Sequence, residues 1–171
     1  MADMGTLDHE YAGAWMNLLQ ANSVLSGELE SKLQDQAGLS LAEHELLARL
    51  SMATDGRLRM CDLASQLIVS RSGITRLVDR LHRMGLVRRD DSPADRRVIH
   101  AVLTAKGRKA YEDSLPVFAS SLEEHFSSHL TQSDVKTLRK ILRKVLAANG
   151  AWDEARCSAP ISQERASAKA S

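Results

Sequence analysis

Residues 63–107 read LASQLIVSRSGITRLVDRLHRMGLVRRDDSPADRRVIHAVLTAKG. A short helix is expected over 61–67, around Leu63, Ala64 and Leu67. Ser70 then offers a helix N-cap and Gly85 a residue just past a helix end. Between them Ile74, Leu77, Val78, Leu81 and Met84 recur at i, i+3, i+4, i+7 and i+10, the apolar stripe of a helix over 70–84. After Gly85 the period changes to two. Residues 86–90 and 97–103 read as strands, and in the second Val98, His100 and Val102 share one face while Ile99, Ala101 and Leu103 share the other. The stretch Asp91-Ser92-Pro93-Ala94-Asp95-Arg96 between them is too long for a two-residue turn and predicts a projecting loop. Two short helices followed directly by a hairpin are the parts of a winged helix-turn-helix.

Outward from this centre the pattern is helical. Upstream, Leu58-Arg59-Met60 reads as a short strand after a Thr54-Asp55-Gly56 turn. A long helix is expected over 8–36, where Tyr11, Trp15, Leu18, Asn22, Leu25 and Leu29 alternate steps of four and three like an a/d seam. Gly38 ends it, and Ser40 caps a second helix carrying Leu41, Leu46, Leu47 and Leu50. Downstream, Thr104 starts a helix expected to run to 130 through Tyr111, Leu115, Phe118, Leu122, Phe126 and Leu130, bent at Pro116. Thr131 caps a last helix with Val135, Leu138, Ile141, Leu142 and Val145. Residues 1–7 and 150–171 are expected to be loose tails. The fold class is mainly α with a small β-hairpin.

Composition narrows the function classes. Of 171 residues, 43% are hydrophobic, 26% charged and 4% aromatic, which excludes a disordered chain or a collagen-like fibre. No apolar run approaches the ~18 residues needed to cross a bilayer, and the opening MADMGTLD carries no secretory pattern. Cys61 and Cys157 share no metal-like spacing, so a reducing cytoplasm is the expected setting. The net charge of +1 hides a strong asymmetry. Residues 1–55 hold 2 Lys/Arg against 9 Asp/Glu, residues 56–109 hold 13 against 5, and residues 110–171 hold 8 against 8. A basic middle with a balance of +8 points to an anionic partner.

The charges have a location. Opposite the apolar stripe, helix 70–84 carries Arg71, Ser72, Thr75, Arg76, Asp79, Arg80 and Arg83. The second helix of a helix-turn-helix enters the major groove of DNA, where Arg bonds a guanine edge or a phosphate and Ser and Thr do either. The free N–H groups near Ser70 also favour phosphate. At the loop tip stand Asp95, Arg96 and Arg97. A narrow minor groove attracts an inserted Arg, and a neighbouring carboxylate can hold that Arg extended. A plainer reading is a solvated helix flank with pairs such as Arg76 and Asp79. It accounts for the charge but not for the company of Ser72, Thr75 and a basic hairpin.

The stretch 58–107, above all Asp91 and Asp95-Arg96-Arg97 followed by a strand and LTAKG, closely resembles the multiple-antibiotic-resistance regulator (MarR) family. The resemblance extends over about 8–148. It implies one domain, with a DNA-binding lobe over about 56–107 and dimerisation helices over about 8–36 and 104–148. It implies a homodimeric transcription regulator, a repressor of a palindromic double-stranded operator, released by a small-molecule effector. On the family pattern, helix 70–84 is the recognition helix, Arg97 enters the minor groove, Asp95 orients it and Arg96 supports it from the backbone. The apolar faces of the terminal helices, larger than a winged helix must cover, also suggest a homodimer; the alternative is that they close an internal bundle.

The resemblance places an effector pocket between the first helices and the DNA-binding lobe, which points to Trp15, Leu18, His44, Leu47 and Arg49. Plain core packing competes with that reading. An organic acid would need His44 and Arg49, almost the only cations in the acidic segment. The hydroperoxide-sensing branch of the family carries a cysteine near the start of the first helix, where this chain has none. Cys61 is therefore expected to be a packed thiol and Cys157 a bystander. His125 and His129, four residues apart, have a metal-compatible spacing but no further ligand beside them. Neither a cofactor nor a metal is expected. No catalytic motif is present, so an enzyme is not expected. The alternative function is a winged-helix protein-interaction module that does not read DNA.

Overall fold

The computed structural model describes residues 8–67, 71–91 and 98–151. The chain forms α1 (His9–Ala37), α2 (Leu41–Met52), β1 (Arg57–Arg59), α3 (Met60–Gln66), α4 (Arg71–Arg83), β2 (Val87–Asp91), β3 (Ile99–Leu103), α5 (Ala105–His125) and α6 (Gln132–Ala148). It is mostly helical with a small antiparallel sheet, as the periodicities require.

Local chemistry sets most boundaries. Asp8 caps α1 by accepting from the Glu10 N–H, and Gly38 ends it in the left-handed region at φ 66°. Ser40 caps α2 in a reciprocal box: its hydroxyl accepts from the Glu43 N–H, and the Glu43 carboxylate accepts from the Ser40 N–H. Thr131 and Asp134 form the same box at α6. Gly85, at φ 74°, turns the chain from α4 into β2.

The sheet has a third strand. Its order is β1-β3-β2, both pairings antiparallel, with Leu58 opposite Ala101 and Arg89 opposite Ala101 on the other side. The wing is thus tied back to the body through β1. Met60, read as the end of a strand, is instead the first residue of α3.

One further expectation changes. The helix begun at Thr104 stops at His125, because Phe126 leaves helical geometry (φ −132°, ψ −65°) and a short 3-10 turn over Ser127–His129 precedes the Thr131 cap. Phe126 and Leu130 keep helical spacing in sequence but do not share one helix. Pro116 lies inside α5, which runs through it as one α-helix.

The core lies under α4. Leu46, Leu47 and Leu50 of α2, Leu63 of α3, Ile74, Val78 and Leu81 of α4, and Val87 and Ala101 of the sheet are buried together. Truncating any of the large ones to Ala costs about 2–5 kcal/mol in such settings. Outside this core, the first half of α1 and the whole of α6 leave large apolar side chains bare. Tyr11, Trp15, Met16, Leu18 and Leu19 on the first half of α1, and Ile141, Val145 and Leu146 on α6, are exposed, and α6 has no buried residue. No described helix is long and apolar enough to cross a membrane.

Candidate nucleic-acid interface

The apolar stripe of α4 is wedged into the core and its opposite face is bare. Ser72, Thr75, Arg76, Arg80 and Arg83 are exposed; Ser72, Arg76, Arg80 and Arg83 step along the helix at intervals of four and three, with Thr75 beside Arg76. Ser72 and Thr75 each keep a polar partner within the protein. Arg76 is exposed and has no hydrogen bond or ion pair to any described residue. The solvated-flank reading paired Arg76 with Asp79, but Asp79 is taken by Arg89 of β2, Nη2 to Oδ1 2.7 Å. That pair joins α4 to β2 of the hairpin. Arg71 is the first residue of α4. Ser70, Asp95, Arg96 and Arg97 lie outside the described residues.

Arg80 is tied back to the protein. Its Nε lies 2.7 Å from Oε1 of Glu43, a carboxylate with no exposed surface, while half of the Arg80 side chain (51%) remains exposed. The pairing is one of charge, since Oε1 receives no aligned hydrogen bond. A buried carboxylate without a partner is costly, so the location of Glu43 is tied to the presence of Arg80. This contact was missed in sequence. The Ser40-x-x-Glu43 spacing was there to signal a capping box, but not its second partner on a helix far along the chain.

The end of α4 is held as firmly. His82 Nδ1 lies 3.1 Å from the Val87 carbonyl oxygen. Lys106 donates to the Met84 carbonyl at 2.8 Å. The Thr104 hydroxyl lies 2.8 Å and 3.0 Å from the Gly85 and Leu86 carbonyl oxygens and accepts from the Gly107 N–H at 2.9 Å. The LTAKG run is therefore a splice of the α4 exit to the α5 entrance. Its glycine is required because a Cβ on Gly107 would lie 2.0 Å from the Leu86 carbonyl oxygen.

The candidate effector residues do not form one wall in this chain. Leu47 belongs to the core and Arg49 is half-buried on α2. His44 is buried against α5, stacked on Phe118 with ring centroids 4.6 Å apart, and its Nδ1 lies 2.8 Å from Ser114 Oγ. Ser114 gives its own proton to the Tyr111 carbonyl, so His44 is the donor in that pair. Burial lowers the His44 pKa to about 4, so it is neutral at physiological pH and is not the cation the charge argument needed. Trp15 (57% exposed) and Leu18 stand toward the other end of α1, since the Glu30 side chain is what meets the start of α2, roughly 22 Å further along a helix rising 1.5 Å per residue.

Two clefts are lined by other residues. One of about 460 Å³ is bounded by Asn17, Gln20, Ala21, Val24 and Leu25 of α1, and by His125, Phe126, His129, Leu130 and Leu138. A second of about 390 Å³ lies between α3, α4 and the sheet, lined by Arg59, Met60, Cys61, Thr75, Arg89, Val98 and Ile99. Cys61 is exposed there rather than packed. His125 faces Glu28 and Glu124 at 3.9 and 3.7 Å, and the described residues hold no cluster of three or more groups able to bind a metal.

Comparison with known proteins places this architecture. The MarR family model matches residues 39–99. The regulator MhqR of Bacillus subtilis is 31% identical over 108 residues, spanning 63% of this chain and 72% of that protein. The structure of Sco3205, a MarR family transcriptional regulator from Streptomyces coelicolor solved in complex with DNA, aligns with a TM-score of 0.79 at 31% identity, over 87% of this chain and 96% of that one. The chain belongs to the MarR family. As a MarR-family transcriptional regulator it is also similar to the transcriptional repressor MprA of Escherichia coli, 28% identical over 120 residues, 70% of this chain and 68% of that one. The exposed face of α4 is accordingly the candidate DNA-reading surface of a MarR-family winged helix.

Proposed function

We propose that this MarR-family regulator is a homodimeric repressor that reads a palindromic duplex with two copies of α4 and is released by a small organic acid. The observation that carries the reading is the bare α4 face, with Ser72, Thr75 and Arg76 exposed on a helix whose other side is locked into the core, in a stretch, 56–109, with a balance of +8. Sco3205 in complex with DNA and the repressor name of MprA support the same assignment.

In this reading residues 8–148 act as one unit, with the DNA-binding lobe over 56–107. The bare apolar surfaces of α1 and α6 support pairing of two chains through 8–36 and 104–148. Such pairing sets two recognition helices one DNA turn apart, ~34 Å. Ser70 and Arg71 open the recognition helix against phosphate. Arg97 enters the minor groove, oriented by Asp95 and backed by Arg96. For the acid, neutral His44 removes one of the two cations first considered. The cleft beside Thr75 is lined by Arg59, and by Arg89 with its pair to Asp79, close to the proposed reading face.

The test is binding of the full chain to the intergenic DNA upstream of its own coding sequence, with a panel of small aromatic and aliphatic acids as competitors. Protection of a palindrome, relieved by at least one acid, is expected. Equal affinity for random and upstream DNA would refute DNA reading, and indifference to every acid would refute release.

A further inference from the structure

Glu43 is a negative charge placed immediately behind a surface meant for a polyanion, and the structure explains why it is tolerated. Its two oxygens do different work. Oε2 accepts from the Ser40 N–H at 2.8 Å and closes the cap of α2. Oε1 takes Arg80 by Nε at 2.7 Å. The contact is one of charge rather than an aligned hydrogen bond, and about half of the Arg80 side chain (51%) stays exposed, so the side chain bridges from the buried carboxylate to the surface. Arg80 also lies nine residues after the first residue of α4, roughly 13 Å along the axis. Base edges are met by the N-terminal residues of a recognition helix. A side chain that far back meets the sugar–phosphate backbone at the edge of the groove.

We propose that Glu43 is a positioning residue for DNA binding: its buried charge anchors Arg80 so that the exposed part of that side chain is presented to a DNA phosphate, and so joins the α2 cap to the setting of the recognition helix. The inference rests on the DNA-reading assignment above. Arg80 then contributes affinity without sequence information, as phosphate contacts do. The other members of the face, Ser72, Thr75 and Arg76, carry the base preference.

The sign of one substitution separates this from a purely electrostatic role. Glu43→Gln keeps an acceptor for the Ser40 N–H but removes the charge that holds Arg80. If Glu43 were only an unfavourable charge near DNA, its removal would tighten binding. If it positions Arg80, binding weakens. The probe is a duplex selected by the wild-type chain from a random pool, with a scrambled duplex of equal length beside it. If the wild-type chain selects no duplex, DNA reading itself fails and the clamp fails with it; every later comparison bears on the clamp alone.

Glu43→Gln is expected to weaken operator binding about tenfold, with the protein folded by circular dichroism. Arg80→Ala is expected to weaken it as much, to lower the salt slope by roughly 0.9, the counterion share of one phosphate, and to leave the selected sequence unchanged. The double variant is expected to be no weaker than Arg80→Ala alone, because both changes break one clamp. Arg80→Lys is expected not to restore full affinity, since a compact ammonium cannot face the buried carboxylate and a phosphate together as a planar guanidinium can. Unchanged or tighter binding by Glu43→Gln, additive losses in the double variant, or a new base preference in Arg80→Ala would each overturn the proposal.

Discussion

The histidine buried between α2 and α5 makes the stability of this protein fall in mild acid, by an amount the structure sets. His44 stacks on Phe118, lies 5.4 Å from the Tyr111 ring and donates to Ser114. Burial lowers its pKa from 6.5 to about 4. The folded protein therefore refuses a proton that the unfolded chain accepts below pH 6.5. Stability from this residue is complete above that pH and is lost as the pH falls from 6.5 towards 4, at about 1.4 kcal/mol per unit, or roughly 3 kcal/mol across the window. His44→Phe keeps an aromatic ring against Phe118 and has no proton to take up. Urea unfolding of both proteins at about pH 7, 5.5 and 4, at one protein concentration, isolates the effect. Carboxylates held low in the folded state, such as Asp134 beside Thr131 and Glu124 beside Lys32, titrate in both proteins and cancel in the difference. The wild type should lose about 3 kcal/mol more than the variant between the extremes. Parallel curves would show that His44 titrates normally and that the α2–α5 junction is open to water.

Three further outcomes are expected. Gly107→Ala places a methyl 2.0 Å from the Leu86 carbonyl oxygen and should destabilise the fold by about 3 kcal/mol, read by thermal melting; a melting point within error of wild type would contradict the α4–α5 splice. Ile141→Asp puts a charge on the bare face of α6 and should convert a dimer to a monomer in sedimentation without lowering helicity, whereas an unchanged dimer would put the interface elsewhere. Arg97→Ala should weaken operator binding by about 1–3 kcal/mol while Arg76→Ala changes which base is preferred, both read by titration against a panel of single-base operator variants; normal affinity in the first would show that the wing does not insert.

What could be read from sequence was what is decided locally. Caps at Ser40, Thr104 and Thr131, the exits at Gly38 and Gly85, and the stripe of α4 each depend on residues within a few positions of one another, and each stands where expected. The pairing of β1 with β3 was not legible, because Arg57 and Val102 are joined only by the tertiary fold. The stop at His125 was missed because Phe126 and Leu130 preserve the apolar spacing across the break, and periodicity alone does not register a change of backbone. The arginines of α4 were legible but not their pairing: four lie along α4 in sequence, yet only the buried carboxylate of α2 distinguishes Arg80 from Arg76. The proposed effector wall joined Trp15 to His44 on an expectation of shared location, and the length of α1 keeps them apart within one chain.

Reading of a palindrome by paired copies of α4 is open to a single titration. The full chain is titrated with the selected palindrome and with the same duplex carrying one scrambled half-site, at about 50 and 200 mM salt. Two chains should bind each intact palindrome. Affinity should fall at least several hundredfold over that salt range, as it does when several phosphates are neutralised. The half-scrambled duplex should bind at least a hundredfold more weakly, in line with the roughly 1–3 kcal/mol lost per mismatched base pair. One chain per duplex, or equal affinity for the intact and half-scrambled duplexes, would contradict the account.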